Sequence, residues 1–486
     1  MVKFDSPQPL SSGLTRELGL FDSTMMMVGI VIGSGIFLTT GIMAQSIPSP
    51  GLILLAWLVG GLIILAGALT YAELGAAMPD AGGQYVYLRE AYGPLFGFLF
   101  GWKLFLVNMT GSIAALGVAF AVYFGYFFPA LSTQNTLFST GMSIGDTEIS
   151  LSLSAGQVVA VLAILLFSAF NYIGVTFGKL VQNVLTVTKI TTIIIIIVFG
   201  LIVGLGNPIE LQLAPAGMDF TQILVGFGLA LIAISWAFDG WNNINYVAGE
   251  IKNPKRNLPL TLLMGTVGIS ILYLLMNVVY VLSLPISEMS GVVRIAETSA
   301  TALFGATAAQ LISVAVIVAV LGALNGAIFA GARVYYAMAK DRLFFRRVGN
   351  LHPRFQTPAF AILIQALWSC VLALTGTFEQ LFTYAMFIGV LFWVIAAAAV
   401  FTLRRKNPAL PRPYKTWGYP VTPLIFIIAL SGVLINTLIV RPVESFIGLA
   451  FTALGIPVFY VWTRKLNLNE QNLLKYKGGR KTDVAK

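Results

Sequence analysis

Charge is what this chain has least of. Only 10% of its 486 residues are Asp, Glu, Lys or Arg, where soluble domains carry roughly 25%. Sulfur and imidazole are scarcer still, with one cysteine, Cys370, and one histidine, His352. A single cysteine excludes a disulfide framework. One His and one Cys, far apart, leave no cluster of the kind an integral-membrane enzyme needs, nor a spacing that ligates a metal. Neither a metal nor a cofactor is expected. His352 falls in a basic loop and reads as a solvated side chain. Long polar stretches are also missing. The largest, such as 130–153, are loops in size and leave no room for a soluble domain.

What fills the chain is apolar sequence, 58% of it hydrophobic. Runs of about 20 apolar residues recur along it, each long enough to cross a hydrocarbon core of about 30 Å. They predict an all-α polytopic membrane protein of about twelve spans, over 22–45, 51–78, 93–128, 154–174, 179–205, 221–249, 258–284, 305–339, 358–376, 379–403, 420–440 and 443–463. Turn residues separate them at Pro48-Ser49-Pro50-Gly51, Gly206-Asn207-Pro208, Asn253-Pro254 and Gly376-Thr377. Residues 1–21 form a polar leader holding Lys3 and Arg16, and the first span outruns a cleavable signal. The third and eighth spans are long enough to tilt or project from the bilayer.

Basic residues sort the two sides. With the N-terminus in the cytoplasm, 25 of the 29 Lys and Arg fall on inner segments, Arg333 and the tail 464–486 among them. Only Arg294 and Arg441 fall outside, and Lys103 and Lys189 lie within spans. The positive-inside rule then places both termini in the cytoplasm of a cell whose plasma membrane the chain crosses. This bias accounts for the net charge of +10. The cations are spread over loops instead of gathered with aromatics, so the expected surroundings are lipid and not nucleic acid.

Two spans are interrupted. The first break is Val28-Gly29-Ile30-Val31-Ile32-Gly33-Ser34-Gly35-Ile36-Phe37, the second Ser235-Trp236-Ala237-Phe238-Asp239-Gly240-Trp241-Asn242-Asn243. Unwound backbone at membrane depth is tolerated only where it lines a cavity or is buried in protein. Matching breaks in two halves point to a transporter's substrate site. The first ten spans divide into two sets of five, 22–205 and 221–403, each opening on an interrupted span. An odd number per set turns the sets upside down relative to each other, an inverted repeat. The spans over 420–463 lie outside it.

If the helix opens at Gly33-Ser34-Gly35, the amides of Ser34, Gly35 and Ile36 become donors at a helix N-terminus, a site for a carboxylate. The carbonyls of Val31 and Ile32, freed on the other side, suit an ammonium. The plainer reading is a small-residue face for helix packing. At the second break Asp239 places a carboxylate mid-span, costly unless it faces a cavity or partner. The carbonyls of Trp236 and Asp239 suit an ammonium, and Trp236 and Trp241 could wall a side chain or simply pack. Lys189, flanked by threonines deep in the fifth span, could donate to the orphan carbonyls of the first break, as a sodium ion otherwise would. Lys103 lies in the third span, with a stem long enough to reach the inner surface. Asn325 is a candidate cavity-lining amide, and Glu73 is placed to pair at the inner end of the second span.

At these residues the sequence resembles the amino acid–polyamine–organocation superfamily, and within it the L-type amino acid transporters and their bacterial serine/threonine exchanger relatives. The resemblance rests on Ile32-Gly33-Ser34-Gly35-Ile36-Phe37, Asp239-Gly240-Trp241-Asn242, Glu250-Ile251-Lys252-Asn253-Pro254, Asn325-Gly326 with Arg333, and Leu351-His352-Pro353. It implies the fold of two inverted five-helix repeats plus two C-terminal helices, working by alternating access. It implies a substrate site drawn from Val31, Ile32, Gly33, Ser34, Gly35, Ile36, Trp236, Phe238, Asp239, Trp241 and Asn242. There the amides of Ser34, Gly35 and Ile36 hold the substrate carboxylate, the carbonyls of Val31, Trp236 and Asp239 hold its amine, and Trp236 closes over it. It further implies that Lys189 links the fifth span to the first break, at Gly33. Eukaryotic members usually pair with a glycoprotein through an extracellular cysteine. This chain has none outside a span, so no such subunit is expected. The function so implied is sodium-independent exchange of neutral L-amino acids. A proton-coupled symporter on the same fold is the nearest rival; an enzyme or a channel is more distant.

Overall fold

Side-chain caps start several spans where turn chemistry places them. Ser49 accepts from the amide of Leu52 at 3.2 Å and Pro50 follows at the first helical position. Ser154 with Gln157, and Asp219 with Gln222, form reciprocal capping boxes. The computed structural model describes residues 13–144, 147–204, 213, 217–375 and 378–464. The turn residues Gly206-Asn207-Pro208 and Gly376-Thr377, most of the leader and nearly all of the tail lie outside the described residues.

Among the described residues, 11 helices are long and apolar enough to cross a membrane, and Ala359–Thr375 is a shorter apolar helix in the place of the ninth span. The twelve expected spans are therefore all helical. The third, Pro94–Phe127, and the eighth, Ala306–Lys340, are the longest. The expected loop at 130–153 is more ordered than its size suggests. Strand β1, Thr136–Ile144, pairs antiparallel with β2, Thr147–Ser154. Alternation of polar and apolar residues in Leu151-Ser152-Leu153-Ser154 is the local signal for it.

Four spans of the first set pack on their counterparts in the second: first on sixth, second on seventh, third on eighth, fourth on ninth. This is the pairing expected of two inverted repeats, and it brings the two interrupted spans together.

At the face where the chain begins, ion pairs tie the elements. Glu73 binds Arg404 at 2.6 Å and Arg412 at 3.4 Å, the pairing its position suggests. Arg333 is not a solvated loop cation. Its guanidinium lies wholly buried and forks onto Glu250, with Nε and Nη2 donating at 2.9 and 3.3 Å. The residues after the second break are thereby fastened to the eighth span. Leu18 completes this seam, its amide donating to the Glu250 carbonyl and its own carbonyl accepting from Lys252.

Candidate functional site

Each interrupted span ends one helix before it begins the next piece. In the first, the helix Leu20–Val31 closes with Ile32 N–H on the Val28 carbonyl, and Gly33 N–H turns back to Val31 O at 2.8 Å. The second helix runs Gly35–Ser46. Phe37 N–H is the first to bond back, to Ser34 O. The amides of Ser34, Gly35 and Ile36 precede it, with no helical turn behind them to bond to. In the sixth span, Phe220–Ala237 gives way to tight turns through Asp239 and Trp241, then to a 3₁₀ helix, Asn243–Glu250.

The breaks cross in direct contact, and glycine makes this possible. A Cβ on Gly35 would sit 2.5 Å from the Ala237 Cα, and one on Gly240 would run into Ile30 Cγ2. Gly240 also has φ +96°, which only glycine adopts without strain. Tyr273 of the seventh span ties the crossing together. Its hydroxyl lies 3.0 Å from Val31 O and 3.1 Å from Ala237 O. One proton serves both carbonyls. Sequence reasoning missed Tyr273; the signal was a phenol in mid-span, which seeks a partner when buried.

Lys189 does reach the first break, but not at Gly33. Its Nζ donates to Gly29 O at 2.8 Å, Ile32 O at 2.7 Å and, across the fold, Ala319 O of the eighth span at 2.9 Å. These use all three ammonium protons. The correction follows from helix geometry. A helix that stops at Val31 orphans carbonyls in its last turn and at the residue that caps it, and Lys189 takes Gly29 O from the one and Ile32 O from the other. Glycines let the three spans close around this ammonium: a Cβ at Gly29 would strike Gln182 and Thr186, and one at Gly322 would strike Lys189 itself.

Between the breaks lies a small cavity. Of the expected site residues, Val31, Gly33, Ser34, Gly35, Trp236 and Asp239 line it. Span three adds Met109, Ser112 and Leu116, and span eight adds Ala327, none of them foreseen. The Ser34 hydroxyl is buried against this cavity without a protein partner. Opposite the helix N-terminus stands Asp239, whose carboxylate accepts from Ser112 Oγ at 3.3 Å. A positive helix end and a carboxylate thus share one small enclosure.

The other expected residues lie behind the cavity wall. Ile32 and Ile36 are fully buried; the Ile32 carbonyl is held by Lys189 and that of Ile36 by the Tyr280 hydroxyl. The Trp236 carbonyl already accepts from Asp239 N–H at 2.8 Å. Phe238 packs on Trp57 and Tyr273. Trp241 is enclosed by Tyr71, Trp393 and Phe426. Asn242 donates to Gln84 and Tyr246. Asn325 joins the fourth, fifth and eighth spans, donating to Gln182 and accepting from Asn171, both at 2.8 Å. Lys103 does not reach the surface; it is only 2% exposed.

Comparison with known proteins agrees with this architecture. The family model described as amino acid permease matches residues 18–462. The serine/threonine exchanger SteT of Bacillus subtilis is 33% identical over 455 residues, covering 92% of this chain and 97% of its own. The human large neutral amino acids transporter small subunit 2 is 30% identical, over 95% of this chain and 84% of its own. The human b(0,+)-type amino acid transporter 1 is 28% identical, over 95% and 92%. With a match running from before the first break to the end of the last span, the chain belongs to the amino acid permease family.

Proposed function

We propose that this chain exchanges neutral L-amino acids across the plasma membrane by alternating access, without sodium. The observation that carries the reading is the pairing of opposite charges in one small cavity. The amides of Ser34, Gly35 and Ile36 face a carboxylate, and the Asp239 carboxylate faces an ammonium. Such an enclosure suits a zwitterion, and its size favours a small side chain, with Trp236 in its wall. Independence from sodium is supported by Lys189, whose ammonium supplies a positive charge among three carbonyls where a cation would otherwise be needed. The names of the serine/threonine exchanger and the large neutral amino acids transporter agree with the substrate class. The moving parts are taken to be the repeats 22–205 and 221–403, with 420–463 outside them and both termini cytoplasmic. The chain's cysteine, Cys370, is buried within the ninth span; no disulfide-linked glycoprotein subunit enters this reading.

Proteoliposomes test this directly. Uptake of labelled neutral amino acid is expected to require unlabelled amino acid inside and to ignore an imposed sodium gradient. Uptake into empty vesicles driven by sodium would refute the reading. Uptake driven by a proton gradient alone would replace it with symport.

Recognition of the carboxylate by backbone amides gives a second expected result. An amino acid methyl ester keeps the ammonium and side chain but removes the charge that faces the helix N-terminus. It is expected to compete at least roughly tenfold more weakly than the parent amino acid. Equal inhibition by both would separate the first break from carboxylate binding.

A further inference from the structure

The turn between the eleventh and twelfth spans holds two charges that have no part in the reading above. By span order, two arginines, Arg294 and Arg441, fall on the face opposite the ion pairs of Glu73. Arg294 is paired, its Nη1 3.0 Å from Glu297 Oε2. Arg441 has no carboxylate partner among the described residues. Glu444 follows it by three positions, in the first turn of the helix Pro442–Ala453, a spacing at which two side chains can meet. They do not form an ion pair. Both instead line a second cavity, away from the crossing of the breaks. Its apolar wall holds Ile42 from the helix after the first break, Leu229 and Ile232 from the helix before the second, and Phe387 of the tenth span. At 1.5 Å per residue, Leu229 and Ile232 lie roughly 14 and 18 Å along their helix from Phe220. That is about half of a hydrocarbon core of about 30 Å. The cavity thus runs from charges at the membrane surface to apolar side chains near its middle. It opens on lipid: Ile42 at its edge is 42% exposed, and Val443 and Phe446, beside Glu444, are 66% and 61% exposed.

We propose that this cavity binds a phospholipid whose headgroup carries a primary amine, as phosphatidylethanolamine does. The phosphate sits on Arg441, whose planar fork of donors matches its oxygens. The first free amides of the helix Pro442–Ala453 favour the same anion. The ammonium donates to the Glu444 carboxylate, and an acyl chain lies along Ile42, Leu229, Ile232 and Phe387. Two unpaired charges of opposite sign at a membrane surface are satisfied together by a headgroup that carries both. A choline headgroup has no N–H to give Glu444, and a glycerol headgroup has no cation. The apolar wall belongs to the helices whose crossing builds the substrate cavity, and the charged turn to spans outside the repeats. A lipid seated between them braces one against the other. The site stands independently of the exchange proposed above.

The test offers the detergent-purified protein an equimolar mixture of phosphatidylethanolamine and phosphatidylcholine with identical acyl chains, and reads the retained lipid by native mass spectrometry. The wild-type chain is expected to favour phosphatidylethanolamine roughly tenfold. Equal retention of the two overturns the proposal. Glu444→Gln removes the acceptor charge for the ammonium. It should still retain phospholipid but lose the preference, and an unchanged preference overturns the proposal. Arg441→Gln should lower retention of both lipids roughly tenfold; unchanged retention overturns the proposal as well. Should Arg441→Gln fail to yield folded protein, the preference measured in Glu444→Gln decides alone. Water-soluble phosphoethanolamine and L-serine, each at the lipid's own concentration, should not displace it. Displacement by either would mean that the cavity takes a soluble zwitterion, and the lipid assignment falls.

Discussion

Gly35→Val is expected to abolish exchange, to below about 1% of the wild-type rate, in protein that still inserts and purifies. The reason lies in the crossing of the breaks. A Cβ at this position meets the Ala237 Cα at 2.5 Å, the Ala237 Cβ at 3.0 Å and its amide nitrogen at 3.3 Å. Two of these atoms are backbone, so no rotamer change relieves the contact, and the two interrupted spans must move apart. Overpacking of this kind costs about 1–3 kcal/mol even where side chains can adjust. Here the displacement opens the cavity and misaligns the amides of Ser34, Gly35 and Ile36. A factor of ten in rate needs only about 1.4 kcal/mol, so the loss from both effects together is large. Insertion is not at issue, because valine is more favourable than glycine in an apolar span. Ser34→Ala is the control. It keeps the amide and removes only a hydroxyl that has no protein partner, and part of the exchange should survive. Rates in proteoliposomes, together with thermal melting in detergent, decide the matter. An active Gly35→Val would mean that the breaks do not need their close crossing.

The breaks themselves were legible because glycines and a mid-span aspartate have few other uses in an apolar helix. Lys189 was legible for the same reason. Of its partners, the Ile32 carbonyl was among the orphan acceptors foreseen at the break; Gly29 and Ala319 were not, and Gly33, the point of attachment the resemblance implied, takes no bond from it. Trp241 and Asn242 show a different limit. They follow Gly240, whose positive φ redirects the chain, so their side chains fall among Tyr71, Gln84 and Trp393 and not at the cavity. Sequence order cannot reveal such a rotation. Ser112 and Met109 enter the wall through a π turn, which shifts the helical phase on which face assignments depend. Asn325, read from sequence as a candidate cavity-lining amide, bonds instead to Gln182 and Asn171 of neighbouring spans, because a polar residue on a buried helix can serve a cavity or another helix equally well. Arg333 and Glu250 were separately visible. Their pairing was not, because it needs the eighth span laid against the end of the sixth.

Lys189→Ala is expected to slow exchange by roughly tenfold or more while substrate still stabilises the protein against heat. The ammonium holds carbonyls from two spans at once, Gly29 and Ile32 on the first and Ala319 on the eighth. Removing it leaves three buried acceptors without their donor, and an unpaired buried polar group costs about 1–3 kcal/mol. The loss does not fall on the substrate directly. The proposed carboxylate donors are the amides of Ser34, Gly35 and Ile36, on the far side of the break from the carbonyls that Lys189 holds. Binding should therefore persist, weakened only as far as the break becomes less ordered. What suffers is the arrangement of the first span against the eighth, on which the balance of carrier states in the proposed alternating access is expected to depend. If that contact stabilises one carrier state over the other, its loss shifts their balance by about 1.4 kcal/mol for each factor of ten in population. Lys189→Arg is the informative companion. It keeps the charge, but its planar fork cannot place three donors on three carbonyls that surround a point. Its exchange should also fall, though its melting temperature falls less than that of Lys189→Ala. Substrate-induced thermal shifts set against exchange rates separate the possibilities. Wild-type exchange in Lys189→Ala would make the lysine a packing residue; loss of binding in step with exchange would place it in the substrate site instead of between the moving spans.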